Sequence, residues 1–120
     1  GLSHRFRDLL VNNSVDIVQP NVVIGGGFTQ CVKIAGLANA FNVPISNGGA
    51  WMHHNMHLQA GVSNGTMVEY HYLAIELCKG IFKDLPMPES GWLNLPDEPG
   101  LGFAPDLDSI RTFHAESRRS

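Results

Sequence analysis

Short apolar runs alternate with longer stretches of helical periodicity over the first part of the chain. The runs at 14–20, 43–46 and 66–70 are rich in β-branched residues and bounded by turn residues, which predicts strands. Between them, apolar residues recur at helical spacing over 29–41 and 51–61. Each interval from one strand start to the next holds one strand, one crossover helix and two loops. The pattern therefore predicts right-handed βαβ units with parallel strands, preceded by a helix that ends near Leu10.

Single residues predict where the helix at 29–41 begins and ends. The Thr29 hydroxyl is expected to cap its first turn, and Asn42 is expected to end it in a left-handed conformation. Cys31 and Cys78 lie in helical stretches without C-x-x-C spacing, so we interpret both as small buried hydrophobic residues.

The chain after about residue 78 has a different composition. Five of the seven prolines fall between 86 and 105, among several glycines, which predicts an extended, looped tail. Residues 106–111 are acidic at their start and predict the beginning of a terminal helix. The predicted division is therefore 1–78 for the βα units and 79–120 for the tail.

Charge and composition exclude several classes of function. Charged residues make up 16% of the chain, against about 25% in ordinary globular domains. The net charge is −3, and the densest basic cluster is the pair Arg118 and Arg119, so nucleic acid and anionic membranes are not expected partners. No apolar run approaches the roughly 18 residues of a spanning helix. The start of the chain has no signal-peptide layout, so we expect a soluble cytoplasmic protein.

Polar side chains follow all three predicted strands. Gln19 and Asn21 follow the first, Asn47 the second, and Glu69 ends the third. The carboxyl ends of parallel strands collect ligands, since loops and helix N-termini converge there. Ordinary loop punctuation is the alternative for the amides, whereas Glu69 ends an apolar strand and needs a partner if buried.

Two weaker motifs point to other chemistry. His53, His54 and His57 form His-His-x-x-His, but a zinc protease needs Glu where this chain has His54, so no metal ligands are assigned. Surface or partly buried histidines are one interpretation, and a proton donor or acceptor at His53 or His54 is the other. The glycines at 25–27 lack the further residues of a nucleotide-binding loop.

A set of motifs in fixed order resembles the C-terminal part of the mandelate racemase and muconate lactonising enzyme family, in the enolase superfamily. They are Asp-Ile-Val-Gln-Pro-Asn at 16–21, Gly-Gly-Phe-Thr at 26–29, Lys-Ile-Ala at 33–35, Leu-Ala at 37–38, Val-Pro-Ile at 43–45, Val-Glu-Tyr at 68–70 and Pro-Gly-Leu-Gly at 99–102. The fold class that the resemblance implies is α/β. The predicted strands become the sixth, seventh and eighth of a modified (β/α)8 TIM barrel, followed by a tail that packs on a capping domain.

The same resemblance implies a reaction and its components. A Mg²⁺ ion would bind a substrate carboxylate while a base removes the adjacent carbon-bound proton. The metal ligands would lie upstream of this chain, in the remainder of the barrel. The implied partners are a small carboxylate substrate, that remainder, the capping domain and further copies of the protein in a homo-oligomer.

Carried over residue by residue, the resemblance assigns roles and shows two departures. Asn21 stands where the family has an Asp or Lys, and Gly48 stands where the partner His would be. Neither residue can move a proton at neutral pH. Glu69 matches the Glu that hydrogen-bonds the substrate carboxylate as an acid, and Asn21, Asn47 and Gln19 are assigned to substrate contact. The base then comes from the second barrel strand, upstream, or from His53, His54 or His71.

The absence of the Asp-His dyad favours a one-base dehydratase of an acid sugar over a two-base racemase or epimerase, which stays as the alternative. A non-catalytic binding module of the same fold is a second hypothesis, and an independent flavodoxin-like domain is a weaker third. The chain by itself is expected to be inactive.

Overall fold

The computed structural model describes residues 3–117, so Gly1, Leu2 and the predicted basic pair Arg118 and Arg119 lie outside the described residues. The chain divides into two compact units, Gly1–His71 and Tyr72–Ser120. The functional division at residue 78 stays a prediction. The helices and strands are, in order, α1 Ser3–Val11, α2 Gly27–Ala40, α3 Met52–Gly61, α4 Tyr72–Ile81, β1 Phe82–Lys83, β2 Ala104–Pro105 and α5 Leu107–Ser117.

In the first unit, three extended segments run parallel in sequence order. Val18 pairs with Ile45, and Ile45 pairs with Gly65, each through a single parallel bridge. The Ser46 amide donates to the Val18 carbonyl at 3.1 Å, and the Ile45 amide donates to the Asn64 carbonyl at 2.8 Å. The predicted direction and neighbours of the three segments agree with this arrangement.

The prediction of regular strands over these segments is wrong, because side chains take the place of the backbone ladder. The Thr66 amide donates to Gln59 Oε1 at 3.0 Å, and the Thr66 hydroxyl donates to the Ile45 carbonyl at 2.7 Å. The Ser46 hydroxyl donates to the Met67 carbonyl at 3.1 Å. Pro44 also lacks the N–H that a ladder needs. The third segment therefore follows the second in direction without forming a strand.

The core of the first unit lies between the three segments and helices α1, α2 and α3. Its buried residues are Leu10, Val18, Val22, Cys31, Ala35, Ala38, Ile45 and Leu58. Cys31 is buried as predicted, and burial raises the pKa of its thiol.

The limits of α2 correct one prediction and confirm another. The helix begins at Gly27, with Gly26 in a left-handed conformation and no side-chain cap, so the prediction of a Thr29 cap is wrong. Glycine enters left-handed backbone without steric cost, which lets the helix start earlier than Thr29. Asn42 has a φ of 56°, which confirms the left-handed residue predicted after the helix.

The second unit contains more regular structure than an extended tail. Helices α4 and α5 pack together, and β1 pairs antiparallel with β2. Cys78 is buried in α4 as predicted, and burial raises the pKa of its thiol. The predicted terminal helix is confirmed as α5. Asp106 Oδ1 accepts the Ser109 amide at 3.1 Å, which lowers the pKa of this carboxyl and satisfies a free donor at the helix start.

Between residues 3 and 117, none of the helices has the length and hydrophobicity needed to cross a membrane.

Candidate functional site

The three parallel segments of the first unit bring their carboxyl ends to one edge. The backbone N–H of Asn47 donates to the Met67 carbonyl at 3.1 Å, two residues after the bridge at Ile45. Ligands bind at this edge in α/β folds because the loops after neighbouring strands meet there. The structure therefore collects Gln19, Asn21, Asn47 and Glu69 in one region, as the sequence predicts.

Asn21 joins the loop after the first segment to the loop after the second. Its Nδ2 lies 2.8 Å from the Gly48 carbonyl oxygen, 3.1 Å from that of Gly49 and 3.0 Å from that of Ala50. Its Oδ1 accepts the Val23 amide at 3.0 Å. Only 3% of the residue is exposed. Both ends of the side chain therefore bind backbone, and contact between Asn21 and a substrate stays a prediction.

Asn47 and Glu69 connect the second segment to the third. Asn47 Nδ2 donates to the Ala50 carbonyl at 2.8 Å, and its Oδ1 accepts the Glu69 amide at 2.7 Å. Glu69 Oε2 in turn accepts the Ala50 amide at 2.7 Å. Asn47 is buried while Glu69 is exposed. One carboxylate oxygen of Glu69 is thus held by the Ala50 backbone, and the residue as a whole is exposed.

A left-handed turn precedes α3, and Asn21, Asn47 and Glu69 all bind its backbone at Ala50. Gly49, Ala50 and Trp51 have φ values of 78°, 66° and 63°. Asn55 completes the set from inside α3, since its Nδ2 donates to the Trp51 carbonyl at 3.0 Å and approaches the Ala50 carbonyl at 3.4 Å. We call Asn21, Asn47 and Asn55 the asparagine clamp, because their amides hold the carbonyl of Ala50.

The energetics of this turn explain why so many amides are needed. A non-glycine residue in left-handed backbone costs roughly 1–2 kcal/mol, and Ala50 and Trp51 both adopt it. A net hydrogen bond contributes about 1 kcal/mol. The clamp offsets this strain with hydrogen bonds to the carbonyls of four consecutive residues, 48–51.

Asn21 and Gly48, at which the resemblance implies a missing dyad, lie next to each other. Asn21 Nδ2 is hydrogen-bonded to the Gly48 carbonyl. Gln19 is exposed and lies over Gly48, where a Cβ would be 3.0 Å from the Gln19 Cδ and Oε1 atoms. Gly48 thus leaves room for the Gln19 side chain beside the loop that follows the second segment, and substrate contact by Gln19 stays a prediction.

The histidines of α3 differ in burial. His53 is fully buried. Its catalytic role stays a prediction. The ring of His54 meets the edge of Trp51 with the ring centroids 5.9 Å apart. Burial, with smaller effects of His53 and His57, lowers the pKa of His54. His71 is exposed.

The site holds two residues that the sequence does not point to. Asn55 lies in a polar helix among three histidines, and Ala50 has no side chain with chemistry. The signal for Asn55 is its place four residues after Trp51, where a helical asparagine reaches back to a free carbonyl or amide at the helix start. No sequence pattern marks an alanine for left-handed backbone.

Comparison with known proteins gives consistent relatives. Over 102 residues the chain is 33% identical to the arabinonate dehydratase of Saccharolobus solfataricus, a match that covers 82% of this chain and 27% of that protein. It is 27% identical to the D-xylonate dehydratase of Haloferax volcanii over 119 residues, which cover 92% of this chain and 28% of that protein. The chain therefore spans less than a third of the length of these relatives.

The fold also matches a solved structure of L-talarate dehydratase from a Polaromonas species complexed with Mg and L-glucarate. The TM-score is 0.79 at 25% identity, over 91% of this chain and 29% of that one. Residues 2–109 match the family described as Enolase C-terminal domain-like. The resemblance predicted from the ordered motifs is confirmed, and this chain belongs to the Enolase C-terminal domain-like family.

Proposed function

We propose that the chain is a segment of a longer, Mg²⁺-dependent enzyme that removes water from a sugar acid or a related hydroxy acid. The relatives that support this are dehydratases of sugar acids, and the chain matches under a third of their length. In the proposed enzyme, segments 14–20, 43–46 and 66–70 take the places of the last three barrel strands. Residues 79–120 pack on the capping domain, and the enzyme forms a homo-oligomer.

The observation that carries the proposal is the placement of Glu69. It ends the third parallel segment, is exposed, and has one carboxylate oxygen fixed by the Ala50 amide at 2.7 Å. The other oxygen can then meet a substrate. In its acid form Glu69 would donate to the substrate carboxylate, which takes on negative charge when the adjacent proton leaves. Its role is therefore to stabilise that charge.

The other residues of the site hold the turn in place and offer a polar group to the substrate in this proposal. The asparagine clamp holds the turn against Glu69, and Gln19 offers an exposed amide beside Gly48 for a substrate hydroxyl. Asn21 and Asn47 act through the turn in this scheme rather than as proton carriers, because their amides bind backbone.

The proton-abstracting base belongs to the second barrel strand in our proposal, outside this chain. Asn21 and Gly48 carry no titratable group, so only one side of the substrate has a base to serve it. A single base suffices to break the C2–H bond and expel the C3 hydroxyl as water, leaving an enol that becomes a 2-keto acid. Racemisation needs a proton acceptor on one face and a donor on the other, so dehydration is the better supported reaction.

Among the described residues 3–117, no group of three or more His, Cys, Asp and Glu side chains could hold a metal ion. In our proposal the ligands of the Mg²⁺ ion belong to the rest of the enzyme. We accordingly expect the chain alone to be inactive.

The test uses the full-length protein and a panel of five- and six-carbon sugar acids. We expect Mg²⁺-dependent formation of a 2-keto acid from at least one of them, abolished by a chelator and restored by added Mg²⁺. Glu69→Gln keeps the acceptor for the Ala50 amide but replaces the acidic O–H with a weaker, neutral N–H donor. We expect it to lower kcat by about tenfold or more, the effect of weakening the stabilisation of the developing charge by about 1.4 kcal/mol.

Glu76→Gln, at an exposed position on α4 before the segment proposed to pack on the capping domain, is the matched control and should leave kcat unchanged. The absence of turnover with every acid contradicts the proposed activity. A Glu69→Gln variant as active as the control contradicts the role of Glu69. The missing dyad at Asn21 and Gly48 favours a second candidate, a binding protein of the same fold, and tight binding of a sugar acid without turnover supports it.

A further inference from the structure

Asn55 is the member of the asparagine clamp that binds the left-handed turn at Ala50 and Trp51 from inside α3. Asn55 is fully buried on α3. Its Nδ2 donates to the Trp51 carbonyl at 3.0 Å, and its Oδ1 accepts the Val22 amide at 2.9 Å. One side chain thus ties the turn to the loop that follows the first parallel segment.

The turn connects Asn55 to Glu69. The Ala50 amide that fixes Glu69 Oε2 belongs to the same left-handed stretch that Asn55 supports. If the turn relaxes to ordinary backbone, the Ala50 N–H changes direction and the bond to Glu69 is lost. A shift of about 1 Å in a group that meets the substrate costs up to about 100-fold in rate.

We propose that Asn55 is a positioning residue that holds the Ala50–Trp51 turn and thereby aims the Glu69 carboxyl at the substrate. The inference rests on the proposed function for its kinetic consequence. Its structural part, that Asn55 keeps the Ala50 amide on Glu69, stands independently of the reaction.

The variant that tests this is Asn55→Asp in the full-length protein. It keeps the size of the side chain and an oxygen for the Val22 amide, but it sets a carboxylate oxygen against the Trp51 carbonyl. Asn64→Asp is the matched control. Asn64 Nδ2 also donates to two backbone carbonyls, those of Ala35 and Val43, both at 3.0 Å, away from the turn.

Two readouts separate positioning from a general loss of stability. Hydrogen exchange of peptides covering residues 49–52 should be slow in the wild type and the Asn64→Asp variant and faster in Asn55→Asp. With both variants folded at the assay temperature, Asn55→Asp should lower kcat and kcat/KM together by about tenfold or more. That is the pattern of an interaction made in the transition state. Asn64→Asp should stay within about twofold of the wild type.

A further substitution gives a specific rescue. Glycine adopts left-handed backbone without steric cost, so Ala50→Gly added to Asn55→Asp should restore part of the exchange protection and of kcat. If the Asn55→Asp variant does not fold, the double variant is measured in its place in both assays.

Fast exchange at 49–52 in the wild type overturns the inference, as does an Asn55→Asp variant that matches Asn64→Asp in both readouts. If the wild type dehydrates no sugar acid, the proposed function fails, while hydrogen exchange still decides whether Asn55 holds the turn.

Discussion

Asn21→Asp introduces the Asp that the resemblance implies at this position, and the structure predicts that it damages the site. Asn21 Nδ2 faces the carbonyl oxygens of Gly48, Gly49 and Ala50 at 2.8–3.1 Å. In the variant, a carboxylate oxygen takes the place of this donor. The side chain is almost completely buried, so water cannot solvate the new charge.

The size of the effect follows from these contacts. An amide has two N–H groups, so the variant loses about two net hydrogen bonds of about 1 kcal/mol each. An uncompensated buried charge raises such losses to about 3–5 kcal/mol. We therefore expect the free energy of unfolding at neutral pH to fall by about 3–5 kcal/mol. Asn and Asp have nearly the same shape, so the loss comes from the change in charge and hydrogen bonding.

The pH dependence has a definite sign. Burial against carbonyl oxygens raises the pKa of the introduced carboxyl in the folded state above its unfolded value of about 3.9. The unfolded state therefore binds fewer protons over this interval, so the stability of the variant relative to wild type falls as pH rises. The protonated carboxyl supplies one donor again, and the variant should recover part of its stability towards about pH 4 to 5.

Urea unfolding of the full-length protein at about pH 7.5 and about pH 5 measures both effects. Asn94→Asp, on an exposed loop, is the control and should change stability by no more than about 0.5 kcal/mol. An Asn21→Asp variant within about 1 kcal/mol of the wild type at the higher pH would contradict this prediction. A difference in stability from the wild type that grows at the lower pH would contradict it as well.

Two further predictions concern packing and protonation in the first unit. Gly65→Ala should destabilise the protein by about 3 kcal/mol, because its Cβ would meet the Gln59 carbonyl oxygen. Gly61→Ala, whose Cβ meets no atom within 4 Å, should be nearly neutral in the same thermal unfolding assay. His54→Gln should reduce the loss of stability on acidification below about pH 6.5, because burial lowers the pKa of His54 and the unfolded state binds the proton more readily. His114→Gln, at an exposed site, should retain the acid-induced loss of the wild type, and equal pH profiles for the two variants contradict the effect of burial.

The parts of the fold that follow local rules were predictable from the sequence. Prolines and apolar runs marked the parallel segments around Val18 and Ile45, and both buried cysteines were recognisable from their helical surroundings. The left-handed Asn42 followed from a common helix ending. These features depend on a few neighbouring residues, so one sequence is enough to indicate them.

The left-handed turn and its clamp were not predictable, because they depend on contacts between distant parts of the chain. Asn21 reaches Ala50, and Asn55 reaches Val22, only after the parallel segments have formed. The third segment failed as a strand for the same reason, since Gln59 on α3 takes the Thr66 amide. Local propensity contains no information about such long-range partners.

The most direct test of the account is the fate of the C2 proton of a sugar acid incubated in D₂O with Mg²⁺ and the full-length protein, followed by proton NMR. We predict that the C2–H signal disappears as a 2-keto-3-deoxy acid forms, with no C2 epimer in the remaining substrate. A C2 epimer formed without loss of water would contradict dehydration and indicate a racemase. A C2–H signal that persists while the acid is bound would contradict catalysis by this site altogether.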